Sequence, residues 1–461
     1  MNILYIGAGF VGACSAAVSA DSGHTTLVYD IDPNKIQKLA SFDRDTIESC
    51  LFEKGLGDLL IRNKERIRFT TDYQEVISFV DSAHAIFMCL PTPEVGETGE
   101  SNLTYYNAAA KELSLALAKR NGGAQSQYVV IVNKSTVPIA MVDETAAIMN
   151  AAGVKNYGVV SNPEFLVEGN AVRDSLKPNR IVIGAWTAQD FAIMKNVYQR
   201  FVSSPDVTYI EVNPKEAAAG KLLANFYLFN RVAVCFDVIG RTAEAFDGIQ
   251  YENLRSILTS DERIGSWGFY DSLYAGGSCF IKDARSLSHQ LTEAGKNPAM
   301  VNETYAANKR QLALFMQRAK TEADISWQGK RVALLGVAFK RDTNDIRNSP
   351  SINIVETLLK ENVAHISVYD PTGKEFFANL FPQSEHVAYV SQEHEAISNC
   401  DVVIISTDWP QFRGVGDVIL SQSFKPLIMD GRRMLQHRYA ELQEAGCAII
   451  AVGSTFLPAK Q

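Results

Sequence analysis

Two glycines, a serine, a cysteine, a lysine and an aspartate fall close together in Gly276-Gly277-Ser278-Cys279-Phe280-Ile281-Lys282-Asp283. Glycine lets a backbone lie against a ligand, which would bring the thiol within reach of it. A helix opening after Ser278 would set Cys279 and Asp283 on one face. A thiol is a strong nucleophile only as thiolate, and Lys282 with the nearby backbone would favour that form. An inert buried cysteine beside a turn fits the octapeptide equally well, so its meaning depends on the rest of the chain.

Two more polar pairs have the spacing of one helical face: Glu164 with Glu168, and Lys221 with Asn225. Most such pairs are solvated faces or caps. Lys221, however, stands in the otherwise apolar run Ala217-Ala218-Ala219-Gly220-Lys221-Leu222-Leu223-Ala224-Asn225. A cation there is costly unless it meets an anion or its pKa falls. In Asn162-Pro163-Glu164-Phe165-Leu166 a carboxylate sits among apolar groups, which predicts a pKa raised toward that of a useful general base.

These residues need elements to hold them. Asn2-Ile3-Leu4-Tyr5-Ile6 reads as a buried strand, followed by Gly7-Ala8-Gly9-Phe10-Val11-Gly12, an alanine-rich helix and a second strand ending at Asp30. Strand, glycine turn, helix and strand are the setting a dinucleotide fingerprint requires. Gly7 permits the tight turn, Gly9 the approach of a pyrophosphate and Gly12 close helix packing, with the helix N-terminus facing the phosphates. Asp30 lies 18 residues after Gly12, where a carboxylate holds ribose hydroxyls and repels a 2′-phosphate, favouring NAD over NADP. Asp32 and Lys35 trim the ribose pocket or cap the next helix.

Further strands are expected at 84–90, 128–133, 158–161 and 180–184, alternating with helical spacing, which predicts a parallel sheet covered on both faces. Pro91-Thr92-Pro93 and Ser135-Thr136-Val137-Pro138 each follow a strand, at the sheet end where open α/β folds bind ligands. From Pro214 to about Phe246, Leu222, Phe226, Phe229, Val232, Phe236 and Ile239 recur at helical intervals, which predicts one long helix. A second α/β module opens at Arg331, has a strand ending in Asp370, and continues through strands at 401–406 and 426–429. It lacks the fingerprint but carries Lys340 in its first loop, so it is expected to bind a different nucleotide. The expected architecture is α/β: an NAD-binding Rossmann-like domain over 1–212, a central helical region over 213–327, and a second Rossmann-like domain over 328–461.

Together the residues describe one chemistry. NAD takes hydride from an alcohol carbon, a base removes the hydroxyl proton, and Lys221 and Asn225 steady the oxyanion. Simple alcohol oxidation leaves Cys279 idle. If the thiol traps the aldehyde as a thiohemiacetal, a second oxidation gives a thioester and hydrolysis a carboxylate, four electrons in all.

Bulk properties agree with a soluble multidomain enzyme. The chain has 461 residues, 46% of them hydrophobic, and a net charge of −8. That balance disfavours general nucleic-acid or anionic-membrane binding. No apolar run approaches the roughly 20 residues of a bilayer span, and the N-terminus has no signal-peptide pattern. Seven scattered cysteines form neither a zinc motif nor a disulfide framework, so no metal is expected and a reducing cytoplasm fits.

The chain resembles the UDP-glucose/GDP-mannose dehydrogenase family over essentially its whole length. The likeness runs through Gly7–Gly12, Phe52–Leu56, Pro91–Pro93, Lys134–Pro138, Asn162–Leu166, Lys221–Asn225, Arg263–Gly265, Gly276–Asp283, Phe339–Arg347, Thr407–Trp409 and Asp430–Arg433. It implies NAD-dependent oxidation of UDP-glucose to UDP-glucuronate, feeding polysaccharide synthesis, by a homodimer joined through the central helix. GDP-mannose and UDP-N-acetylhexosamines are alternative substrates. A two-electron hydroxyacid dehydrogenase and an inactive nucleotide-sugar sensor are alternative readings of the chain.

By the same resemblance Cys279 is the nucleophile, Lys221 and Asn225 stabilise the oxyanion, and Glu164 is the base in thioester hydrolysis, with Thr136 and Asp283 holding the water. NAD would meet Gly7, Gly9, Phe10, Val11, Gly12, Asp30, Lys35, Pro91, Thr92, Thr136, Glu168, Lys282 and Arg347. The nucleotide sugar would meet Glu164, Phe165, Leu166, Lys221, Asn225, Tyr274, Gly276, Phe339, Lys340 and Arg433, and Arg263 from a second subunit. The chain departs from common family pattern at Val167 (usually Arg), at Ile281 (usually Pro) and in the glycine-poor Ser272–Ala275.

Overall fold

The computed structural model describes residues 1–120 and 126–460. They fold as two compact units, residues 1–224 with 289–294, and residues 225–288 with 295 onward.

The first unit is built on β1 (Asn2–Ile6), β2 (Thr25–Tyr29), β3 (Ile67–Thr70), β4 (Ala85–Met88), β5 (Val129–Asn133), β6 (Tyr157–Ser161), β7 (Arg180–Gly184) and β8 (Thr208–Val212). Their order is β3-β2-β1-β4-β5-β6-β7-β8. Neighbours run parallel except β6 and β7, which meet antiparallel. Ile3, Tyr5 and Val28 enter the core on one face of the sheet, and Leu4, Ile6 and Leu27 on the other. Burial on both faces demands unbroken apolar strands, which is the pattern of a doubly wound fold. Asp32, Asp43 and Asp72 cap the helices that follow them by accepting N–H groups of the first turn.

The second unit carries β9 (Arg331–Leu335), β10 (His365–Tyr369), β11 (Val387–Tyr389), β12 (Val402–Ile405), β13 (Leu427–Asp430) and β14 (Ile449–Ala451). All are parallel, in the order β11-β10-β9-β12-β13-β14. In each sheet the order reverses beside the first strand, between β1 and β4 and between β9 and β12. Ligand crevices of open α/β sheets form at such points. Just after those strands come Gly7–Gly12 and Pro91–Pro93 in one unit, and Gly336–Lys340 and Thr407–Trp409 in the other.

The expected long helix is present but not uniform. It is α-helical over Pro214–Val234, widens to a π-helix over Cys235–Gly240 and closes with an α turn over Arg241–Ala245. By length and composition this helix could cross a membrane. Arg231 and Asp237, however, hydrogen-bond within the protein, to Ile264 and Arg310, as residues of a core helix do.

The aspartates that directly follow β2 and β10, Asp30 and Asp370, are topologically equivalent but differently used. Asp370 is buried and accepts the N–H groups of Val337, Ala338, Thr372 and Gly373 and the indole N–H of Trp409. It ties the first loop of the second sheet together. Asp370→Ala would leave these donors without an acceptor and should lower stability by about 3 kcal/mol or more, read as an earlier urea transition.

Candidate active site

In the first unit the glycine turn fits a dinucleotide. A Cβ at Gly7 would lie 2.2 Å from the Cys89 carbonyl oxygen, and one at Gly12 only 1.9 Å from that of Gly7. At Gly9 no atom lies within 4 Å of that position, so the backbone stays open at the N-terminus of helix Phe10–Asp21, which has no side-chain cap. That leaves Gly9, Phe10 and Val11 to meet a pyrophosphate. Asp30 accepts the N–H of Ala8 at 2.7 Å and that of Asp32 at 3.0 Å, and pairs with Lys35 at 3.2 Å. Lys35 therefore balances Asp30, and Asp32 caps the next helix. Nearby, the Thr92 hydroxyl donates to the Thr136 carbonyl at 2.7 Å, and Ser135 donates to that of Leu90 at 2.6 Å. The Pro91–Pro93 and Ser135–Pro138 loops are thus stitched together at the carboxyl edge of the sheet.

Glu164 and Lys221, 57 residues apart in sequence, form a buried ion pair at 3.0 Å, their side chains 9% and 4% exposed. The second Glu164 oxygen accepts the Leu166 N–H at 2.6 Å. Despite burial, the carboxyl is held below the usual glutamate range, because Lys221, the Leu166 N–H and Lys134 favour its charged form. The expectation of a raised value is corrected, since the apolar neighbours visible in sequence are outweighed by cations that are not. Lys221 and Arg180 both lie over the Phe165 ring, at 5.4 and 3.8 Å.

A second correction concerns Glu164 and Glu168, which share no helical face. Residues 162–170 are loop, and the helix begins at Ala171. Pro163 disfavours a helical conformation at Asn162, and Gly169 is left-handed at φ 84°. Buried Glu53 fixes the loop by accepting the N–H groups of Gly169 and Ala171, each at 2.8 Å. Glu168 is half-buried and Val167 exposed. A cavity of about 460 Å³ beside this loop is lined by Lys134, Glu164, Phe165, Arg173, Arg180 and Tyr198, among others.

The second unit carries the cysteine expected to act as nucleophile. Cys279 is an exposed thiol on the first residue of helix Cys279–Glu293. One turn on, buried Asp283 takes a hydrogen bond from the Asn225 amide at 2.5 Å and pairs with Lys282 at 2.6 Å. Lys282 is thereby engaged with Asp283. The expectation that Gly276 and Gly277 make room for a ligand is also modified. A Cβ at Gly276 would fall 2.7 Å from the Asn348 carbonyl and 2.9 Å from Phe339 Cβ, and at Gly277 2.9 Å from the Phe339 ring. The glycines admit the protein's own aromatic ring. Gly277 N–H donates to the Arg347 carbonyl and the Asn348 amide to that of Gly277, both at 3.0 Å.

Other expected ligand residues are placed as follows. Lys340 lies by the Phe339 ring at 5.6 Å, in the loop after β9. The Arg347 guanidinium pairs with Asp345 at 2.8 Å, and Arg263, largely exposed, with Asp261 at 2.6 Å. Tyr274 is buried, its hydroxyl taking a hydrogen bond from Asn353 at 3.2 Å. Arg433 pairs with Glu252 at 2.6 Å and donates to the Val452 carbonyl at 2.8 Å.

Sequence reasoning gave no role to several residues that hold these loops. Asn308 grips Ala275 by both its N–H (2.8 Å) and its carbonyl (3.1 Å). Arg432 donates to the carbonyls of Ser406 and Phe339, each at 2.8 Å, and to the Ser272 hydroxyl at 3.2 Å. Lys134 and Asn162 belong to this group too. Lys134 carried a signal, a cation directly after the buried strand Val129–Asn133.

Three family models match the chain: the NAD binding domain (residues 1–202), central domain (215–310) and UDP binding domain (333–437) of the UDP-glucose/GDP-mannose dehydrogenase family. Among curated relatives, the UDP-glucose 6-dehydrogenase TuaD of Bacillus subtilis is 31% identical, over 98% of this chain and 93% of its own length. The UDP-glucose 6-dehydrogenase of Pseudomonas aeruginosa is 29% identical, over 98% and 97%. A solved UDP-glucose dehydrogenase from Pyrobaculum islandicum is 28% identical and superposes with a TM-score of 0.84, covering 95% of each chain.

The buried pair makes a quantitative prediction. Glu164→Gln or Lys221→Met strands a buried charge and should lower stability by about 3 kcal/mol, with the double variant costing less than the sum of the two. Because the folded carboxyl titrates below the usual 4.5, the pair's contribution is full above that pH and is lost as acidification passes the lower folded value. Urea unfolding from pH 3 to 7 should show that slope in the native chain and not in Glu164→Gln.

Proposed function

Because the chain belongs to the UDP-glucose/GDP-mannose dehydrogenase family, we propose that it oxidises UDP-glucose to UDP-glucuronate, consuming two NAD per sugar. The observation that carries this reading is Cys279, an exposed thiol at a helix N-terminus with a buried carboxylate one turn behind it. The names of the relatives support UDP-glucose as the sugar nucleotide.

NAD would be held by Gly9–Val11 with Asp30 toward the ribose, and would supply the hydride acceptor for both oxidations. Pro91, Thr92 and Thr136 would line its site at the sheet edge. Cys279 Sγ adds to the aldehyde carbon, giving a thiohemiacetal, and its oxidised form, the thioester, is cleaved by water to carboxylate and free thiol. Lys221 and Asn225, one turn apart on the same helix, stabilise the oxyanion that forms at each addition. Glu164, kept ionised, takes the proton of the attacking water, and Thr136 and Asp283 orient that water. Phe339 and Lys340 meet the nucleotide, the lysine opposing phosphate charge.

The division at 1–212, 213–327 and 328–461 is part of the proposal, supported by the bounds of the three family matches. So is a homodimer, supported by Leu223, Tyr227, Val234 and Val238 exposed along the central helix, with Arg263 completing a neighbour's site. A reducing cytoplasm is supported by seven free thiols.

With limiting UDP-glucose and excess NAD, two NADH should form per sugar. One NADH would mean an aldehyde product and no thioester step. Turnover of GDP-mannose or a UDP-N-acetylhexosamine in its place would keep the mechanism and move the substrate, and binding without turnover of any of them would make the chain a sensor.

A further inference from the structure

Lys134 is a buried cation that the reaction above does not use. It follows β5 directly and is 7% exposed. Its ammonium donates to Asn162 Oδ1 at 3.1 Å and to the Tyr198 hydroxyl at 3.5 Å, both neutral oxygens. Tyr198 donates to the same Asn162 oxygen at 2.5 Å. The Asn162 amide donates to the Val182 carbonyl at 2.9 Å, and its backbone N–H to that of Asn133 at 3.0 Å. Asn162 is therefore locked from all sides, two residues before Glu164.

The charge balance is also informative. Around Lys134 stand Cys89, Tyr198, Glu164 and Lys221. Burial pushes the Cys89 thiol up to about 12 and raises the Tyr198 phenol further, so both are neutral at physiological pH. The anion whose charge reaches Lys134 is Glu164, already paired directly with Lys221. A second buried lysine thus acts by charge alone on a carboxylate that has its own ion-pair partner. In the mechanism Lys221 must also meet an oxyanion, and one cation cannot serve two anions at full strength.

We propose that Lys134 is a positioning residue: it fixes the Asn162–Leu166 turn and supplies the second positive charge that keeps Glu164 ionised while Lys221 is drawn to the oxyanion. The part concerning the oxyanion rests on the proposed reaction; the hold on Glu164 does not. Burial leaves Lys134 itself titrating at about 8, so its support of Glu164 is complete below that pH and fades above it.

The test is carboxyl carbon NMR on glutamate-labelled protein, with the Glu164 resonance assigned by its absence in Glu164→Gln. In Lys134→Met the Glu164 titration should move up by about one unit, while Lys134→Arg should leave it in place. The acid limb of kcat/KM for UDP-glucose should move with it. A folded Lys134→Met protein whose Glu164 titrates as before would overturn the proposal, whatever its activity. If Lys134→Met does not fold, the native protein decides. Its Glu164 resonance should show a second step near pH 8, abolished in Lys134→Arg, and a single step would overturn the proposal. Should UDP-glucose not be turned over at all, the NMR result still stands, and only the reading of the reaction fails.

Discussion

A charge taken out of water must be matched, and much of the first unit is arranged to match one carboxylate. Glu164 lies in a loop between an apolar strand and a helix, where burial alone would protonate it. Lys221 from the central helix, the Leu166 N–H and Lys134 together reverse that outcome. The surroundings serve this arrangement. Glu53 fastens the far end of the loop, Pro163 keeps it out of a helix, and Asn162 is held by Lys134, Tyr198 and β7. A carboxylate that is ionised, shielded and fixed in direction is a base that need not reorganise during reaction.

The second unit meets a different demand, that of an exposed thiol on a rigid support. Gly276 and Gly277 pack against Phe339 so closely that no side chain fits, and the Arg347–Asn348 backbone, Asn308 and Arg432 clamp the flanking residues. Beneath the thiol, Asp283 joins its helix to the central one through Asn225. The sulfur is therefore presented from a helix end whose approach loop is fixed, as the proposed role of nucleophile would require.

How much of this could be read from sequence follows from the kind of physics involved. The inner strands were legible because burial on both faces forces continuous apolar runs, as at Asn2–Ile6 and Arg180–Gly184. The four strands that sequence reading did not pick out, β3, β8, β11 and β14, are the edges of the two sheets, where pairing on one side relaxes that demand. The helical pairs Lys221/Asn225 and Cys279/Asp283 were legible from spacing, whereas Glu164/Glu168 was misread because spacing cannot see a loop. The depressed Glu164 carboxyl was illegible, since its cations come from residues 30 and 57 positions away in sequence. Arg433 shows the same limit. Its basic character is plain in sequence, but its commitment to Glu252 and two carbonyls is a tertiary fact.

The central claim is that a thiol and an ionised carboxylate divide the chemistry, one holding the intermediate and the other releasing it. Acid-quenched peptide mapping by mass spectrometry of Glu164→Gln, given UDP-glucose and NAD, tests this most directly. The account predicts a sugar-nucleotide thioester on the Cys279 peptide that accumulates toward one per active site. An unmodified Cys279 peptide in a protein that has produced NADH would contradict it.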